Sequence, residues 1–170
     1  MTFLNLKLSI ASAALLASFA ALALPSDQRQ PINIEADRAQ FDQQKGEANY
    51  NGNVIVKQGT ITIEAQDLWI YTDPATGDFK SLHATGSPSR FSQQIDQTGR
   101  MMNANGNTLD YDVTLGELEI HDNGYLKRGE DEISADFIHY FLDDSTFQAE
   151  NRGSGRVNMT LQPSTSESTD

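Results

Sequence analysis

Gly52-Asn53-Val54-Ile55-Val56-Lys57-Gln58-Gly59-Thr60-Ile61-Thr62-Ile63-Glu64-Ala65 is the stretch whose reading decides the fold. Two β-branched runs flank Gln58-Gly59, and glycine accepts the positive φ of a tight hairpin loop, so the stretch reads as a β-hairpin with that dipeptide as its loop. In this register Lys57 faces Thr60, Val56 faces Ile61, Val54 faces Ile63 and Gly52 faces Ala65. One face then carries Val54, Val56, Ile61 and Ile63. The other carries Asn53, Lys57, Thr60, Thr62 and Glu64, with Ile55 as the exception. Side chains alternate along a strand, so a slip of one residue would scatter this division. The apolar face is either ordinary core or the wall of a ligand groove.

Working outward, the same pattern recurs. Ile34-Glu35-Ala36, Ile63-Glu64-Ala65, Met102-Asn103-Ala104 and Ile133-Ser134-Ala135 align on a central alanine, and Phe41, Ile70, Leu109 and Tyr140 follow five positions later. Past each alanine comes a polar residue (Asp37, Gln66, Asn105, Asp136), and there the apolar parity changes. A strand that changes its inward face must bend or bulge, so a corner is expected at each alanine. The second half of each unit ends in a glycine, Gly52, Gly86, Gly124 or Gly153, and each precedes another short strand. If Arg128-Gly129-Glu130-Asp131 is a four-residue loop, Gly124 faces Ala135, repeating the Gly52/Ala65 pair. In the middle unit, pairing Gly86 with Ala104 leaves Phe91 on the wrong parity unless a bulge intervenes. Asp42-Gln43-Gln44-Lys45-Gly46, Asp73-Pro74-Ala75-Thr76-Gly77, Gln97-Thr98-Gly99 and Asp143-Asp144-Ser145 supply turns, and no helical stripe is found. The pattern predicts an all-β fold, an elongated antiparallel roll of about four repeated strand-pair units. A closed globular sandwich is the alternative.

The ends lie outside this pattern. Lys7, the uncharged apolar run Leu8 to Leu22 and Ala21-Leu22-Ala23 read as a cleaved signal peptide over residues 1–23, with an uncleaved membrane anchor as the competing reading. Residues 24–30 form a flexible leader, 31–161 the β domain and 162–170 a tail too poor in apolar residues to fold. Without cysteine, neither a disulfide nor a lipoprotein anchor is available. The formal charge of −12 argues against nucleic acid, whose binding rests on phosphate neutralisation by lysine and arginine.

The search for chemistry yields no catalytic residue, no metal ligand set and no cofactor motif. His83, His121 and His139 have no second His or Cys at ligand spacing and read as strand or surface residues. Asp110-Tyr111-Asp112 with Gly116-Glu117 lacks the Asp-Gly step and twelfth-position Glu of a calcium loop. No nucleophile elbow, phosphate loop or dinucleotide fingerprint is present, and a glycan lyase on a β-solenoid would need a cluster of basic residues and carboxylates that the pattern does not provide. Aromatic residues are spread through every unit. They fit a packed core or a long apolar groove equally well.

Gln30-Pro31-Ile32-Asn33-Ile34-Glu35-Ala36-Asp37, then Tyr50-Asn51-Gly52-Asn53-Val54-Ile55-Val56-Lys57-Gln58-Gly59-Thr60-Ile61, then Gly124-Tyr125-Leu126 resemble the OstA-like family of periplasmic lipopolysaccharide transport proteins. The likeness runs from about Gln30 to Leu161, and its first hairpin is the most specific part. The resemblance implies a periplasmic, non-enzymatic β-jellyroll, open at both ends, that associates head to tail and bridges an LptC-like inner-membrane partner to an LptD-like outer-membrane one. Lipid A acyl chains of lipopolysaccharide would lie inside. By matching position Ile32 and Ile34 line the N-terminal mouth and Phe91 and Tyr111 lie within. Strand parity adds Val54, Val56, Ile61, Ile63, Leu118, Ile120 and Leu126 to the groove. The expected docking edges are Ile32, Asn33, Ile34 and Glu35 at one end and Val157, Asn158, Met159 and Thr160 at the other. A structural β-module with a filled core, linking envelope proteins through these edges, is the rival reading.

Overall fold

The computed structural model describes residues 27 to 163 apart from Asp143. The expected signal peptide, the first three residues of the leader and the tail from residue 164 onward lie outside the described residues. A 3-10 turn (Asp27–Arg29) precedes ten strands: β1 (Asn33–Glu35), β2 (Arg38–Asp42), β3 (Glu47–Gln58), β4 (Ile61–Thr72), β5 (Phe79–Gln94), β6 (Met101–Asp112), β7 (Glu117–Arg128), β8 (Asp131–Phe141), β9 (Thr146–Glu150) and β10 (Asn158–Thr160). They form one antiparallel sheet in the order β1-β3-β4-β5-β6-β7-β8-β10, with β2 also on β3 and β9 also on β8. The first and last strands of that path are not paired with each other, so the sheet is not closed. No helix among the described residues is long and apolar enough to cross a membrane.

The opening hairpin forms, with its loop displaced. Gln58 pairs with Ile61 and Val56 with Ile63, so the loop is Gly59-Thr60 rather than Gln58-Gly59. Gly59 has φ +58° and Thr60 is not left-handed, the arrangement of a type II′ turn, which places glycine first. Every cross-strand pair therefore moves by two residues, and an even shift leaves each side chain on its expected face. The Gly52/Ala65 pair does not form. Ala65 opposes Val54, while Gly52 and Asn53 together oppose Gln66 in a bulge. Gly124 does face Ala135, and Arg128 pairs with Asp131, which shortens that loop from four residues to Gly129-Glu130. In the middle unit Phe91, not Gly86, faces Ala104, and the irregularity between Thr85 and Ser89 supplies the bulge that restores its parity.

These irregularities line up into a fold line. The ladders break between Asn51 and Val54, Glu64 and Asp67, Thr85 and Ser89, Asn105 and Thr108, and His121 and Gly124. At the same level β1 ends and β2 begins, so that β1 covers the second half of β3 and β2 covers the first. β10 and β9 divide β8 in the same way. Buried residues step from Ile63 to Leu68 along β4, from Gly106 to Leu109 along β6 and from Ala135 to Ile138 along β8, so the buried parity changes within a few residues of the expected alanines. Each bulge bends its strand. The sheet thus divides into a first layer, carrying Val56, Ile63, Phe91, Leu126 and Ile133, and a second layer, carrying Leu68, Leu82, Leu109, Leu118 and Ile138, whose buried side chains form one cluster.

Turn chemistry repeats at the rim of the second layer. Asp42, Asp73 and Asp112 each accept two backbone N–H bonds through one carboxylate oxygen, from Gln44 and Lys45, from Ala75 and Thr76, and from Thr114 and Leu115. Four residues after each aspartate stands a glycine with positive φ: Gly46 (+68°), Gly77 (+79°) and Gly116 (+66°). Aspartate starts the turn by binding its own backbone, and glycine ends it in the left-handed region. A hydrogen bond from Lys80, helped by the two amides, holds the Asp73 carboxyl below the usual carboxylate range.

The described part of the leader is not free. Asp27 is buried and accepts bonds from Thr60 N (3.0 Å), Thr60 Oγ1 (2.6 Å) and Gln93 Nε2 (3.4 Å). The leader was expected to be flexible because its composition is polar. The Asp27 carboxylate gains order by satisfying the loop amide that a type II′ turn leaves outward. Replacing Asp27 with alanine removes these bonds and strands a partly buried N–H, and is expected to cost about 2–3 kcal/mol in urea unfolding; an unchanged midpoint would mean that the turn is not docked in solution.

Candidate functional site

The interior between the layers is the candidate site. Of the side chains expected to line a groove, Val54, Val56, Ile63, Phe91, Leu118, Ile120 and Leu126 are buried in the single cluster. Ile34, Ile61 and Tyr111 are partly buried and pack against it. Ile32 is 45% exposed and stands apart, beside the free edge of β1. Sequence reasoning left Leu68, Leu82, Met102, Leu109, Ile133, Ile138 and Tyr140 out of the groove, although they belong to the same cluster. The change of parity past each alanine is the signal that finds Leu68, Leu109 and Ile138.

The layers meet away from the fold line. The rings of Phe91, in the first layer, and Tyr111, in the second, are 6.3 Å apart between centroids. At the β7/β8 end Arg128 Nη2 donates to Ser145 Oγ at 3.2 Å. A cavity of about 160 Å³ opens beside this pair, lined by Leu126, Ile133, Tyr140, Phe147, Met159 and Leu161 among others. An apolar cavity near 150 Å³ holds one benzene. In the conformation described, then, the interior takes a small apolar group and not a chain of a dozen methylenes. A larger cavity of about 690 Å³ lies at the ladder gap between β4 and β5, where its lining includes Asn53, Glu64, Gln66, Asp67, Ser87 and Arg90. Ile55, Ala65 and Pro88 also line it, but polar side chains predominate, so it offers an acyl chain less than the interior does.

Most charge lies on the outer faces, with Asp27 and Arg128 the exceptions at the end of the interior. On the first layer Lys127 Nζ donates to Glu132 Oε1 at 2.6 Å, which holds the Glu132 carboxyl below and the Lys127 ammonium above their usual ranges. Burial, reinforced by the Glu132 carboxylate, pushes the neighbouring Tyr125 phenol up. The buried polar side chains are Asp27, Ser89 and Gln93, and Gln93 bonds Asp27. On the second layer the register brings together His83, Asp110, Glu119 and His121 from three strands, a grouping that no spacing within the sequence announces.

The strands on which docking is expected, β1 and β10, are each paired on one side. Among the described residues β1 pairs with β3 alone and β10 with β8 alone, so the outer backbone groups of each have no sheet neighbour there. Asn33, Ile34 and Glu35 lie in β1 and Asn158, Met159 and Thr160 in β10; Val157 immediately precedes β10 and is 41% exposed.

An open, folded antiparallel sheet whose two layers enclose one largely apolar interior defines an all-β protein of the β-jellyroll class. Comparison with known proteins agrees with that class and narrows it: residues 33–146 match the family model described as LptA/(LptD N-terminal domain) LPS transport protein. The chain belongs to this family. It is 32% identical over 166 residues to the lipopolysaccharide export system protein LptA of Haemophilus influenzae, covering 96% of this chain and 95% of that protein. The crystal structure of LptH from Pseudomonas aeruginosa, described as the LptA-homologous periplasmic component of a lipopolysaccharide transport device, superposes with a TM-score of 0.73 at 25% identity, covering 82% of this chain and all of LptH. A shorter likeness, 51% identical over 53 residues, links 31% of this chain to 7% of the LPS-assembly protein LptD of Haemophilus ducreyi. The family is one of transport proteins and not of enzymes, in keeping with a sequence that carries no catalytic motif.

Proposed function

We propose that this protein carries lipopolysaccharide through the periplasm, holding lipid A acyl chains between its two layers, and that it bridges an inner-membrane LptC-like partner to an outer-membrane LptD-like one. The single observation that carries this reading is a continuous apolar interior inside a sheet that is not closed. β1 and β2 share no ladder with β9 and β10, so the layers can part along that side without breaking a backbone hydrogen bond. Parting forfeits side-chain contacts such as Phe91 against Tyr111, and an acyl chain replaces them with contacts of the same kind. Burying a dozen methylenes contributes about 10 kcal/mol at roughly 0.8 kcal/mol each. Repulsion between lipid phosphates and an acidic protein is smaller, because exposed charge pairs are worth about 0–1 kcal/mol and are screened over about 8 Å at physiological salt. Contacts of this kind are non-directional, which suits a ligand that must slide. Directional movement draws its energy from elsewhere, since the sequence carries no nucleotide-binding motif and the carrier needs no cofactor of its own.

The half-paired edges suit the bridge. A neighbour's strand laid on Ile32 to Glu35, or on Val157 to Thr160, would gain a ladder of main-chain bonds and extend the apolar interior into the next module. Head-to-tail self-association uses the same two edges. The segment shared with an LptD supports an LptD-like partner at one of them.

The closed interior favours a second reading, a structural module whose core is filled and whose edges alone work. Deacylated lipopolysaccharide separates the two. Intact lipopolysaccharide is expected to bind the mature protein and the deacylated form to lose at least about a hundredfold, since even a few methylenes' worth of burial exceeds 2.7 kcal/mol. Equal binding of both forms, or of neither, would overturn the carrier reading.

A further inference from the structure

All three histidines of the chain stand on the outer face of the second layer. The register places them among carboxylates: His83 opposes Asp110, Asp110 opposes Glu119, and Glu119 opposes His139. One pair along, Asp112 opposes Glu117. Like charges directly opposite one another destabilise an antiparallel pair, and here two such pairs stand side by side on β6 and β7. Among the described residues no lysine or arginine is ion-paired with any of these four carboxylates; the ionic partners of Asp110, Glu117 and Glu119 are histidines, and Asp112 is held by the turn amides of Thr114 and Leu115. Four carboxylates facing each other across two central strands call for a positive charge that the chain itself does not supply in full.

We propose that Asp110, Glu119 and His121 form a binding site for a divalent cation of the zinc class. Their donor atoms all lie within 4.8 Å of one another. His121 Nε2 is 3.0 Å from Glu119 Oε2 and 3.5 Å from Asp110 Oδ2. A tetrahedral zinc ion with bonds of about 2.05 Å has donor-to-donor edges of about 3.3 Å, so both separations bracket the required edge. One imidazole nitrogen and two carboxylate oxygens suit Zn²⁺, and Cu²⁺ or Ni²⁺ by the same chemistry, better than Mg²⁺ or Ca²⁺, which prefer all-oxygen shells. The second oxygen of Asp110 is engaged separately: His83 Nδ1 lies 2.5 Å from Asp110 Oδ1 and orients the carboxylate from outside the ligand set. Such an outer partner is the usual companion of a metal-ligating carboxylate. The Asp110, Glu119 and His121 side chains are 39%, 39% and 25% exposed, and a surface cleft of about 260 Å³ is lined by two of them, Asp110 and Glu119, together with His83 and Leu115. The fourth position is open to water. Bound there, the ion ties β6 to β7 across the outer surface and cancels the opposition of Asp110 to Glu119.

The test is calorimetric titration of the untagged mature protein with zinc chloride at neutral pH. One equivalent is expected to bind, with His121→Ala and Glu119→Gln each weakening binding at least about tenfold and His83→Ala weakening it about tenfold through Asp110. His139→Ala, which lies in the patch and outside the ligand set, is expected to bind as the wild type does. Ring-nitrogen NMR shifts of the wild type provide a readout that needs no variant: the Nε2 signal of His121 should move with zinc and that of His139 should not. Absence of zinc binding to the wild type would overturn the proposal. So would wild-type affinity in His121→Ala, or a loss in His139→Ala equal to that in His121→Ala.

Discussion

Replacing Ile63 with aspartate is expected to lower stability by about 4 kcal/mol or more, because a carboxylate would enter an apolar cluster with no partner. Ile63 is 3% exposed and opposes Val56 and Phe91 on its two sides, both buried. At roughly 4 °C per kcal/mol for a domain of this size, the melting temperature falls by on the order of 15 °C. Thr62→Asp is the matching control. Thr62 opposes Lys57 and points to the outer face, so its replacement should stay within about 0.5 kcal/mol. Equal melting of the two variants would refute the assigned faces of the hairpin, and with them the interior that the rest of the fold encloses.

Gly124→Val carries the second large effect, and it acts at the fold line. A Cβ on Gly124 would stand 2.9 Å from the Ala135 carbonyl oxygen and 3.3 Å from Ile120 Cγ2. The first neighbour is backbone within a ladder pair, so it cannot swing aside as a side chain would. Overpacking of this kind costs about 1–3 kcal/mol, and valine's branch adds to the clash on both sides. The expected loss is about 3 kcal/mol, with weaker lipopolysaccharide binding, since the angle between the layers is set where β7 and β8 cross the fold line. A variant that melts and binds as the wild type does would mean that the close approach of the two strands is not what holds the bend.

Much of this architecture was legible because it rests on period-2 alternation. Val54, Val56, Ile61 and Ile63 share a face whichever two-residue loop is chosen, since Gln58-Gly59 and Gly59-Thr60 differ by an even shift. Local composition could not choose between those loops. Glycine suits the second position of one turn type and the first of another, and the docking of Asp27 onto Thr60 joins residues that only the folded chain brings together. The fold line was visible as a change of apolar parity past Ala65, Ala104 and Ala135. Its partner strands were harder. Asp122 and Asn123 take left-handed φ values of +57° and +59° in the bulge opposite Asp136, and polar residues in a strand do not announce that. The cluster of Asp110, Glu119 and His121 was invisible for a related reason. Glu119 and His121 are a same-face pair that any strand could carry, and Asp110 joins them only through the register of β6 against β7.

Two features of the interior pull in different directions, and their balance defines how the protein works. Packing of Phe91 on Tyr111 keeps the layers together when no ligand is present, while the unpaired margin between the β1/β2 side and the β9/β10 side lets them separate without loss of ladder bonds. An apolar chain entering from one end would replace protein contacts one by one, which makes entry gradual and leaves each step shallow. Under the proposed carrier function, such shallow steps suit passage along a line of modules better than tight storage in one.

Photo-crosslinking distinguishes an interior that receives lipid from one that is only packed. A benzophenone amino acid is placed at Tyr111, which packs against the interior cluster, and in a second protein at Trp69, which lies on the opposite face of the second layer between the interior residues Leu68 and Ile70. After irradiation with lipopolysaccharide, the account predicts a covalent adduct at Tyr111 and none at Trp69. No adduct at Tyr111, or equal adducts at both positions, would contradict it.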